Sequence, residues 1–237
     1  MNIIIVGATS GIGKALFEKY AREGHHVAII GRRKHLLDQL VAAFPSNATA
    51  KAADVTKHDE IENAIRELWA DMQEVDIAIV CAGTGQINRE LDYAKEQPTL
   101  DTNIMGWTFV VDMLYGLLDK QRKGQLASIS SVGGLRGEAM APAYTATKAF
   151  QINYLEALRK KAYKDGGKIR ITDVRPGFVD TAMAQGDGLF WVMPVEKAAK
   201  QICNAISKGK GKVYITKRWR LIAILYKALP FTLFKKI

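Results

Sequence analysis

A glycine-rich turn between a strand-like run and a helical pattern opens the chain and limits its folds more than any other feature. Asn2–Val6 is apolar and β-branched, and residues 7–13 read Gly-Ala-Thr-Ser-Gly-Ile-Gly before a helical pattern from Lys14 to Glu23. Glycines let a backbone approach a ligand closely, and a helix amino terminus offers free N–H groups. Three glycines can also form a simple tight turn, but the strand-turn-helix context favours binding of a dinucleotide's phosphates. The predicted contact residues are Gly7, Thr9, Ser10, Gly11, Ile12 and Gly13.

Further strand-like runs recur along the chain with helical patterns between them. They lie at 27–30, 75–80, 125–129, 169–174 and 212–215. Alternating strands and helices predict an α/β fold with a parallel sheet covered on both faces. We therefore expect one doubly wound, Rossmann-like domain of three layers (α/β/α) over residues 1–237, with a helical apolar tail at 217–237.

The amino terminus and the cysteines bear on location. The first strand-like run begins at Asn2, which leaves no room for a signal peptide, and Cys81 and Cys203 make no disulfide framework. We expect a reducing, cytoplasmic location. We expect no metal site, because no cluster of His, Cys and carboxylate side chains has ligand spacing.

Three polar residues in the second half of the chain form a candidate proton-donating site. Tyr144 and Lys148 are one helical turn apart and would project from the same helix face. A phenol has a pKa of about 10, and a nearby ammonium group lowers that pKa by favouring the phenolate. Ser131 follows an apolar run and would lie at the carboxyl end of a strand, where open α/β sheets bind ligands. In the alternative interpretation, Tyr144 only packs and Lys148 is solvated.

With these motifs in place, the chain resembles a short-chain dehydrogenase/reductase of the single-domain type. The resemblance extends from residue 2 to about residue 214 and includes Asp54-Val55, Ala82-Gly83, Asn103 and the motif at 176–181. Two positions depart from the family pattern. Val6 stands where Thr usually precedes the first glycine, and Val80-Cys81 replaces a usual Asn pair.

The resemblance implies a catalytic tetrad and further cofactor contacts. Tyr144 would protonate the developing alkoxide, Ser131 would hydrogen-bond the carbonyl, and Lys148 would hold the nicotinamide ribose. Asn103 would anchor a water that refills the proton through Lys148. The cofactor contacts that the resemblance implies are Asp54, Val55, Ala82, Gly83, Tyr144, Lys148, Val179 and Thr181.

The residues after the second strand-like run bear on the choice of cofactor. Residues 27–30 lead into Gly-Arg-Arg-Lys, and no acid stands where an NAD enzyme would bind the ribose hydroxyls. Arg32 could instead bind a 2′-phosphate with its two-pronged guanidinium, and Arg33 could add charge. The alternative is a solvated basic turn that opens a helix. We predict NADP(H).

The carboxyl-terminal segment carries the whole positive surplus of the chain. From Lys197 onward there are eleven Lys and Arg residues and no Asp or Glu, whereas the residues before it carry 23 basic and 24 acidic side chains. Within the tail at 217–237, the apolar stretch that begins at Leu221 is interrupted by Lys227 and Pro230 and falls short of the roughly 20 residues that span a bilayer. It could pack on its own domain or a twin subunit, or lie in the interface of an anionic membrane. Nucleic-acid binding is disfavoured, because no aromatic stacking motif or reading helix accompanies the charge.

The substrate side is less distinctive. Leu189–Met193 would form an apolar lid over the nicotinamide, or would be core or subunit contacts. We predict an NADP(H)-dependent oxidoreductase that interconverts a carbonyl and an alcohol on an apolar or lipid-like small molecule, as a homodimer or homotetramer. The alternatives are a nucleotide-sensing protein of the same fold, which damage to the tetrad would indicate, and an epimerase or dehydratase on an activated sugar.

Overall fold

Seven parallel strands form one sheet in the computed structural model, which describes residues 1–184 and 190–235. The spatial order is β3-β2-β1-β4-β5-β6-β7, so the direction of winding reverses between β1 and β4. This reversal confirms the predicted doubly wound fold. The strands are β1 Asn2–Val6, β2 His26–Gly31, β3 Ala48–Ala52, β4 Ile77–Val80, β5 Gly124–Ile129, β6 Ile169–Pro176 and β7 Lys212–Ile215.

Helices connect the strands and cover both faces of the sheet. A π-helix at Asp101–Gly106 joins α4 to α5, and a 3-10 turn at Val132–Leu135 follows β5. The helices are α1 Gly11–Arg22, α2 Lys34–Ala43, α3 His58–Met72, α4 Tyr93–Leu100, α5 Trp107–Gln121, α6 Pro142–Lys164, α7 Val195–Ser207, α8 Lys217–Ala228 and α9 Phe231–Phe234.

The side-chain alternation of the strands divides the apolar core into two halves. On β1, Ile4 packs with residues of α3, α5 and α6, whereas Ile3 and Ile5 pack with residues of α1, α2 and α7. Successive side chains of a strand point to opposite faces, and both faces of this sheet are covered. The central strands β1, β2 and β4 therefore read as nearly continuous apolar runs in the sequence, and the three-layer arrangement is confirmed.

Two strand limits differ from the predicted ones by two residues, and those of β2 and β5 differ by at most one. β4 begins at Ile77 and not at residue 75, because the Val75 N–H donates to the Gln121 side chain at 3.0 Å instead of to a neighbouring strand. β6 continues past residue 174 to Pro176, because its last residues pair with β7.

The carboxyl-terminal segment folds into α8 and α9 after β7. One face of α8 buries Trp219 and Ala223 against the domain, and the other face exposes Leu221, Ile224 and Leu225. Residues 236 and 237 of the predicted tail lie outside the described residues. In the described ranges, no helix has both the length and the apolar character needed to cross a membrane.

Asp173 and Arg175 form a buried ion pair in β6. The Nη2 and Nε atoms of Arg175 lie 2.6 and 2.7 Å from Asp173 Oδ2, and Ser130 Oγ donates to Asp173 Oδ1 at 2.5 Å. The guanidinium also lies 5.7 Å from the centre of the Tyr214 ring. Both charged groups have lost their hydration, so the loss of one would leave the other uncompensated.

Asp173→Asn should lower the free energy of unfolding by about 3–5 kcal/mol, because the Arg175 guanidinium would stay buried without a counter-charge. The matched control is Asp38→Asn, whose partner Lys34 lies 2.8 Å away in an exposed pair and should matter little. Urea denaturation measures both losses. Equally small losses in the two variants would contradict a stabilising role for the buried pair.

Candidate active site

The glycine turn packs directly against the loop that follows β4. Gly7 has a φ of +89°, and a Cβ atom there would lie 2.4 Å from the Ala82 nitrogen. A Cβ atom on Gly13 would lie 2.1 Å from the Gly7 carbonyl oxygen. Neither position accepts a side chain without a backbone shift. α1 begins at Gly11, earlier than the predicted Lys14, so its first N–H groups lie at the turn itself.

Backbone hydrogen bonds join β1 to the β4 loop where the sequence departs from the family pattern. The N–H groups of Cys81 and Ala82 both donate to the Val6 carbonyl oxygen, at 2.8 and 3.0 Å. Burial raises the pKa of the Cys81 thiol to about 12, so the thiol is neutral. Main-chain contacts thus join the two loops without the polar side chains that are usual at these positions.

The two arginines after β2 occupy different positions. Arg33 Nη2 donates to the Thr9 and Ser10 hydroxyls at 2.7 and 2.9 Å, so Arg33 braces the glycine turn. Arg32 Nη1 lies 3.7 Å from Asp54 Oδ2, and 68% of the Arg32 side chain is exposed. Arg32 therefore keeps hydrogen-bond donors available at the cleft, whereas Arg33 commits donors to the turn.

The loops after β3, β4 and β6 hold the other predicted cofactor contacts. Asp54 Oδ1 accepts hydrogen bonds from the N–H and hydroxyl of Thr56 at 3.0 and 2.9 Å, which fixes the carboxylate at the end of β3. A Cβ atom on Gly11 would lie 3.2 Å from Thr181 Cγ2, so the β6 loop closes on the glycine turn. The residues of these three loops that line the same cleft as the turn are Asp54, Val55, Ala82, Gly83, Val179 and Thr181.

Tyr144 and Ser131 meet in that cleft. The Gly133 N–H donates to Ser131 Oγ at 3.0 Å, which leaves the serine hydroxyl proton to donate to the Tyr144 oxygen. Burial raises the pKa of Tyr144, and the hydrogen bond from Ser131 opposes this rise without reversing it. The phenol is therefore protonated at neutral pH. A Cβ atom on Gly85 would lie 2.4 Å from Tyr144 Cδ2, so glycine at 85 makes room for the ring.

Lys148 is buried beside Tyr144 among neutral acceptors. Its Nζ donates to the Ile129 carbonyl oxygen at 3.1 Å and to Gln151 Oε1 at 2.9 Å, and it lies 5.8 Å from the centre of the Tyr144 ring. Burial lowers the pKa of Lys148 to about 8, so most of the amine is charged at neutral pH. The predicted lowering of the Tyr144 pKa by Lys148 does not appear, because burial raises this pKa and the opposing effect comes from the Ser131 hydrogen bond.

Asn103 lies behind Lys148 in the π-helix. All the predicted site residues lie in the described part of the chain. Asn103 alone among them does not line the cleft. Its side chain accepts from Thr84 N at 2.9 Å and donates to Thr84 O at 2.7 Å and to Thr147 Oγ1 at 3.0 Å. Asn103 thus ties the β4 loop to α6. Its own carbonyl oxygen accepts from Gln151 Nε2 at 2.9 Å.

The cleft has a volume of about 1130 Å³, and the carboxyl-terminal helices form one of its walls. Trp219, Tyr226 and Phe234 line it from α8 and α9. The Trp219 ring centre lies 5.3 Å from that of Phe178 and 5.1 Å from that of Phe190. The wall that these helices form is therefore aromatic.

Arg136 fixes this wall to the rest of the site. Its Nε donates to the Tyr226 carbonyl oxygen at 2.6 Å, its Nη2 donates to the Leu229 carbonyl oxygen, and its guanidinium lies 5.0 Å from the centre of the Phe234 ring. A cation is favoured at the carboxyl end of a helix. The inner face of the tail is thus packed on its own domain, as one of the two sequence-based alternatives predicts.

The predicted lid lies only partly at the cleft. Leu189 is outside the described residues. Phe190, Trp191 and Val192 are all exposed, and of the three only Phe190 lines the cleft. Met193 packs against the core. Met193 is drawn inward because it forms a parallel bridge with the β6 loop.

Sequence reasoning missed three residues that shape the site: Gln151, Gly85 and Arg136. Gln151 carried a signal, since it lies three residues after Lys148 on the same helix face. Gly85 and Arg136 carried none, because their partners are remote in sequence. In the ranges 1–184 and 190–235, no group of three or more His, Cys, Asp and Glu side chains lies close enough to hold a metal ion.

Comparisons with sequence relatives agree with this architecture. The family model for short chain dehydrogenases matches residues 1–188. An uncharacterised oxidoreductase of Myxococcus xanthus is 29% identical over 98% of this chain and 93% of its own length. Another, of Staphylococcus aureus, is 32% identical over 76% of this chain and 78% of its own.

Solved structures share the fold. A short-chain dehydrogenase from Streptomyces avermitilis superposes with a TM-score of 0.82 at 25% identity, covering 95% of this chain and 90% of its own. ElxO with NADP bound gives 0.79 at 22% identity, covering 90% and 96%. An enzyme from Burkholderia phymatum in complex with NAD gives 0.85 at 17% identity, covering 94% and 92%. The last two likenesses show the fold alone. Because the family model matches most of the sequence and the fold agrees, this chain is a nucleotide-binding oxidoreductase and belongs to the short-chain dehydrogenase/reductase family.

Proposed function

We propose that this protein is an NADP(H)-dependent oxidoreductase that interconverts a carbonyl and an alcohol by hydride transfer on an apolar or lipid-like small molecule. One observation carries the proposal: Ser131, Tyr144 and Lys148 meet in the cleft into which the glycine turn opens. A protonated phenol, a serine hydroxyl and a buried ammonium group suit proton exchange with an alcohol or carbonyl oxygen.

The residues around the turn fit a nicotinamide dinucleotide. The cleft, at about 1130 Å³, exceeds the roughly 300–1000 Å³ of most small-molecule pockets. A Cβ atom on Gly83 would lie 3.4 Å from Lys148 Nζ, so glycine keeps the approach to that amine open. The turn and the start of α1 would hold the phosphates. When bound, the nicotinamide supplies a hydride to a carbonyl carbon or accepts one from an alcohol.

The protein's own groups handle the proton. In the direction of reduction, Tyr144 gives its proton to the substrate oxygen, and Ser131 hydrogen-bonds that oxygen and fixes its orientation. The raised pKa of Tyr144 keeps the proton on the phenol at neutral pH. Once the proton has left, the Lys148 ammonium group stabilises the phenolate. The predicted electrostatic effect of Lys148 on Tyr144 therefore operates after proton transfer, when Tyr144 is a phenolate.

The preference for NADP(H) rests on Arg32. Relatives of the same fold hold NADP in one case and NAD in another, so the fold leaves the choice open. Arg32 lies at the end of β2, beside Asp54 and largely exposed. A 2′-phosphate placed there would form charge-assisted hydrogen bonds with its guanidinium.

The substrate preference and the partners are further parts of the proposal. The aromatic wall from α8 and α9 favours an apolar small molecule over an activated sugar. A nucleotide-sensing protein without turnover is the alternative, and a turnover assay over a panel of ketones separates the two.

Three further properties remain predictions from the sequence. They are the assembly as a homodimer or homotetramer, the cytoplasmic location and the lack of nucleic-acid binding.

The outer face of α8 supports the predicted peripheral membrane contact. Leu221, Ile224 and Leu225 are 67%, 57% and 51% exposed and lie on one side of the helix. Basic residues surround this stripe, and no acidic residue occurs after Glu196. An anionic lipid surface offers both an apolar layer and opposite charge. A second copy of the chain would instead bring like charges together across a symmetric contact.

Tyr144→Phe should lower turnover by at least about 100-fold, because the transferable proton is lost, and should leave NADPH affinity within a few-fold. Tyr154→Phe is the matched control on the same helix, since its hydroxyl donates to Asp112 at 2.6 Å, outside the cleft. Ketone reduction and fluorescence titration with NADPH measure the two effects. Near-normal turnover in Tyr144→Phe would refute the assignment.

Arg32→Ala should weaken NADPH binding by roughly 10- to 100-fold and leave NADH binding nearly unchanged, because a charge-assisted hydrogen bond to the 2′-phosphate is lost. Arg33→Ala should weaken both cofactors, because Arg33 braces the glycine turn. Dissociation constants for both cofactors decide this without a substrate. An equal loss for NADPH and NADH in Arg32→Ala would exclude a role in discrimination.

A variant with Leu221→Ser, Ile224→Ser and Leu225→Ser should no longer float with vesicles that contain phosphatidylglycerol, because the apolar stripe is lost. The unchanged protein should float with these vesicles at low salt, be released at high salt, and ignore pure phosphatidylcholine vesicles. Leu91→Ser removes an equally exposed leucine (66%) elsewhere and is the control. The membrane-contact hypothesis would be excluded if the unchanged protein did not bind anionic vesicles. It would also be excluded if the unchanged protein formed a dimer that the triple variant could not form.

A further inference from the structure

The side-chain amide of Gln151 bridges Lys148 and Asn103. Lys148 Nζ donates to Gln151 Oε1 at 2.9 Å, and Gln151 Nε2 donates to the Asn103 carbonyl oxygen at 2.9 Å. Gln151 and Asn103 have no exposed surface, and Lys148 is 4% exposed. The bridge therefore lies in the protein interior, directly behind the amine.

The chemistry of the two partners fixes the orientation of the amide. An ammonium group can only donate, and a backbone carbonyl can only accept, so Oε1 must face Lys148 and Nε2 must face Asn103. Lys148 and Gln151 lie three residues apart on α6, on one helix face. The backbone of the π-helix brings the Asn103 carbonyl to the other side of the amide.

We infer that Gln151 is a positioning residue for the catalytic lysine: its amide holds the Lys148 ammonium group in place and occupies the route that the family resemblance assigns to a proton-carrying water between Lys148 and Asn103. The catalytic role of Lys148 in this inference rests on the proposed function. An amide accepts at its oxygen and donates at its nitrogen, so it does not pass a proton across as water does. A proton lost from Tyr144 is then replaced from the side of the cleft.

The other groups around Lys148 offset the effect of its burial only in part. Tyr144 on α6 is protonated, Cys81 after β4 is a neutral thiol, and Asp173 in β6 is already paired with Arg175. The neutral oxygens of Gln151 and of the β5 carbonyl are the acceptors in direct contact with the amine. A change at Gln151 should therefore act directly on the titration of Lys148.

The titration of Lys148 tests the bridge without any substrate. Protein labelled with 13Cε-lysine is titrated by NMR, and the Lys148 signal is assigned by its loss in Lys148→Met. Gln151→Leu should lower the midpoint by about one pH unit, because the ammonium group loses a hydrogen bond. Gln151→Glu should raise the midpoint by about one unit or more, because a carboxylate replaces the amide oxygen.

Gln125→Leu is the matched control, since Gln125 is also buried and donates to Thr172 Oγ1 at 2.7 Å in the sheet. This control should lose stability without moving the Lys148 midpoint. Shifts of opposite sign in the two Gln151 variants are not expected from a purely structural role. Unchanged midpoints, or shifts of the same sign in both variants, would overturn the inference.

A second measurement uses the unchanged protein and does not depend on how the variants fold. The side-chain 15N signal of Gln151 should shift with pH at the same midpoint as the Lys148 signal. A Gln151 signal that does not shift over this pH range would overturn the inference. The alkaline limb of kcat/KM should move with the Lys148 midpoint in the Gln151 variants. A bridge seen by NMR in a protein that reduces no ketone would leave the bridge intact and refute the proposed function.

Discussion

The close contact between the β1 and β4 loops is the constraint on which the rest of the site depends. The Val6 carbonyl oxygen accepts two N–H groups from residues 81 and 82, and Gly7 leaves no room for a side chain against them. β1 and β4 are adjacent, but the chain winds outward from them in opposite directions. The segments that follow β1 and β4 therefore run away from the contact in opposite directions, and the cleft opens between them. The glycine turn, the two arginines and the side chains of Ser131, Tyr144 and Lys148 all line this cleft.

α6 brings the proposed proton-donating residues to that cleft. Tyr144, Lys148 and Gln151 follow one another along one face of this helix, and Gly85 makes room for the Tyr144 ring. Burial has opposite consequences for the two titrating groups, since it disfavours the charged form of each. It raises the pKa of the phenol and lowers that of the amine to about 8. In the resting site Tyr144 is therefore protonated, and the pKa of the neighbouring Lys148 amine lies close to neutral pH.

The carboxyl-terminal helices combine two roles in one short segment. The inner face of α8 closes the cleft with aromatic side chains, and Arg136 secures the last carbonyl groups of this helix. Its outer face is apolar and bordered by basic residues. The aromatic wall of the cleft thus lies directly beneath the surface that we propose for lipid contact.

The sequence by itself determined the fold and most of the candidate site, because both depend on local patterns. Strands buried on both faces must be continuous apolar runs, and a turn that contacts backbone closely must contain glycine, so residues 2–13 predict their own structure. The spacing of Tyr144 and Lys148 likewise follows from helix geometry. Only the tertiary structure decided that Arg33 braces the turn while Arg32 faces the cleft, that the tail forms an aromatic wall, and that Gln151 joins Lys148 to Asn103. These outcomes depend on contacts between residues that are distant in sequence, and such contacts leave no local pattern. The directions of the pKa shifts likewise depend on burial, which only the folded chain defines.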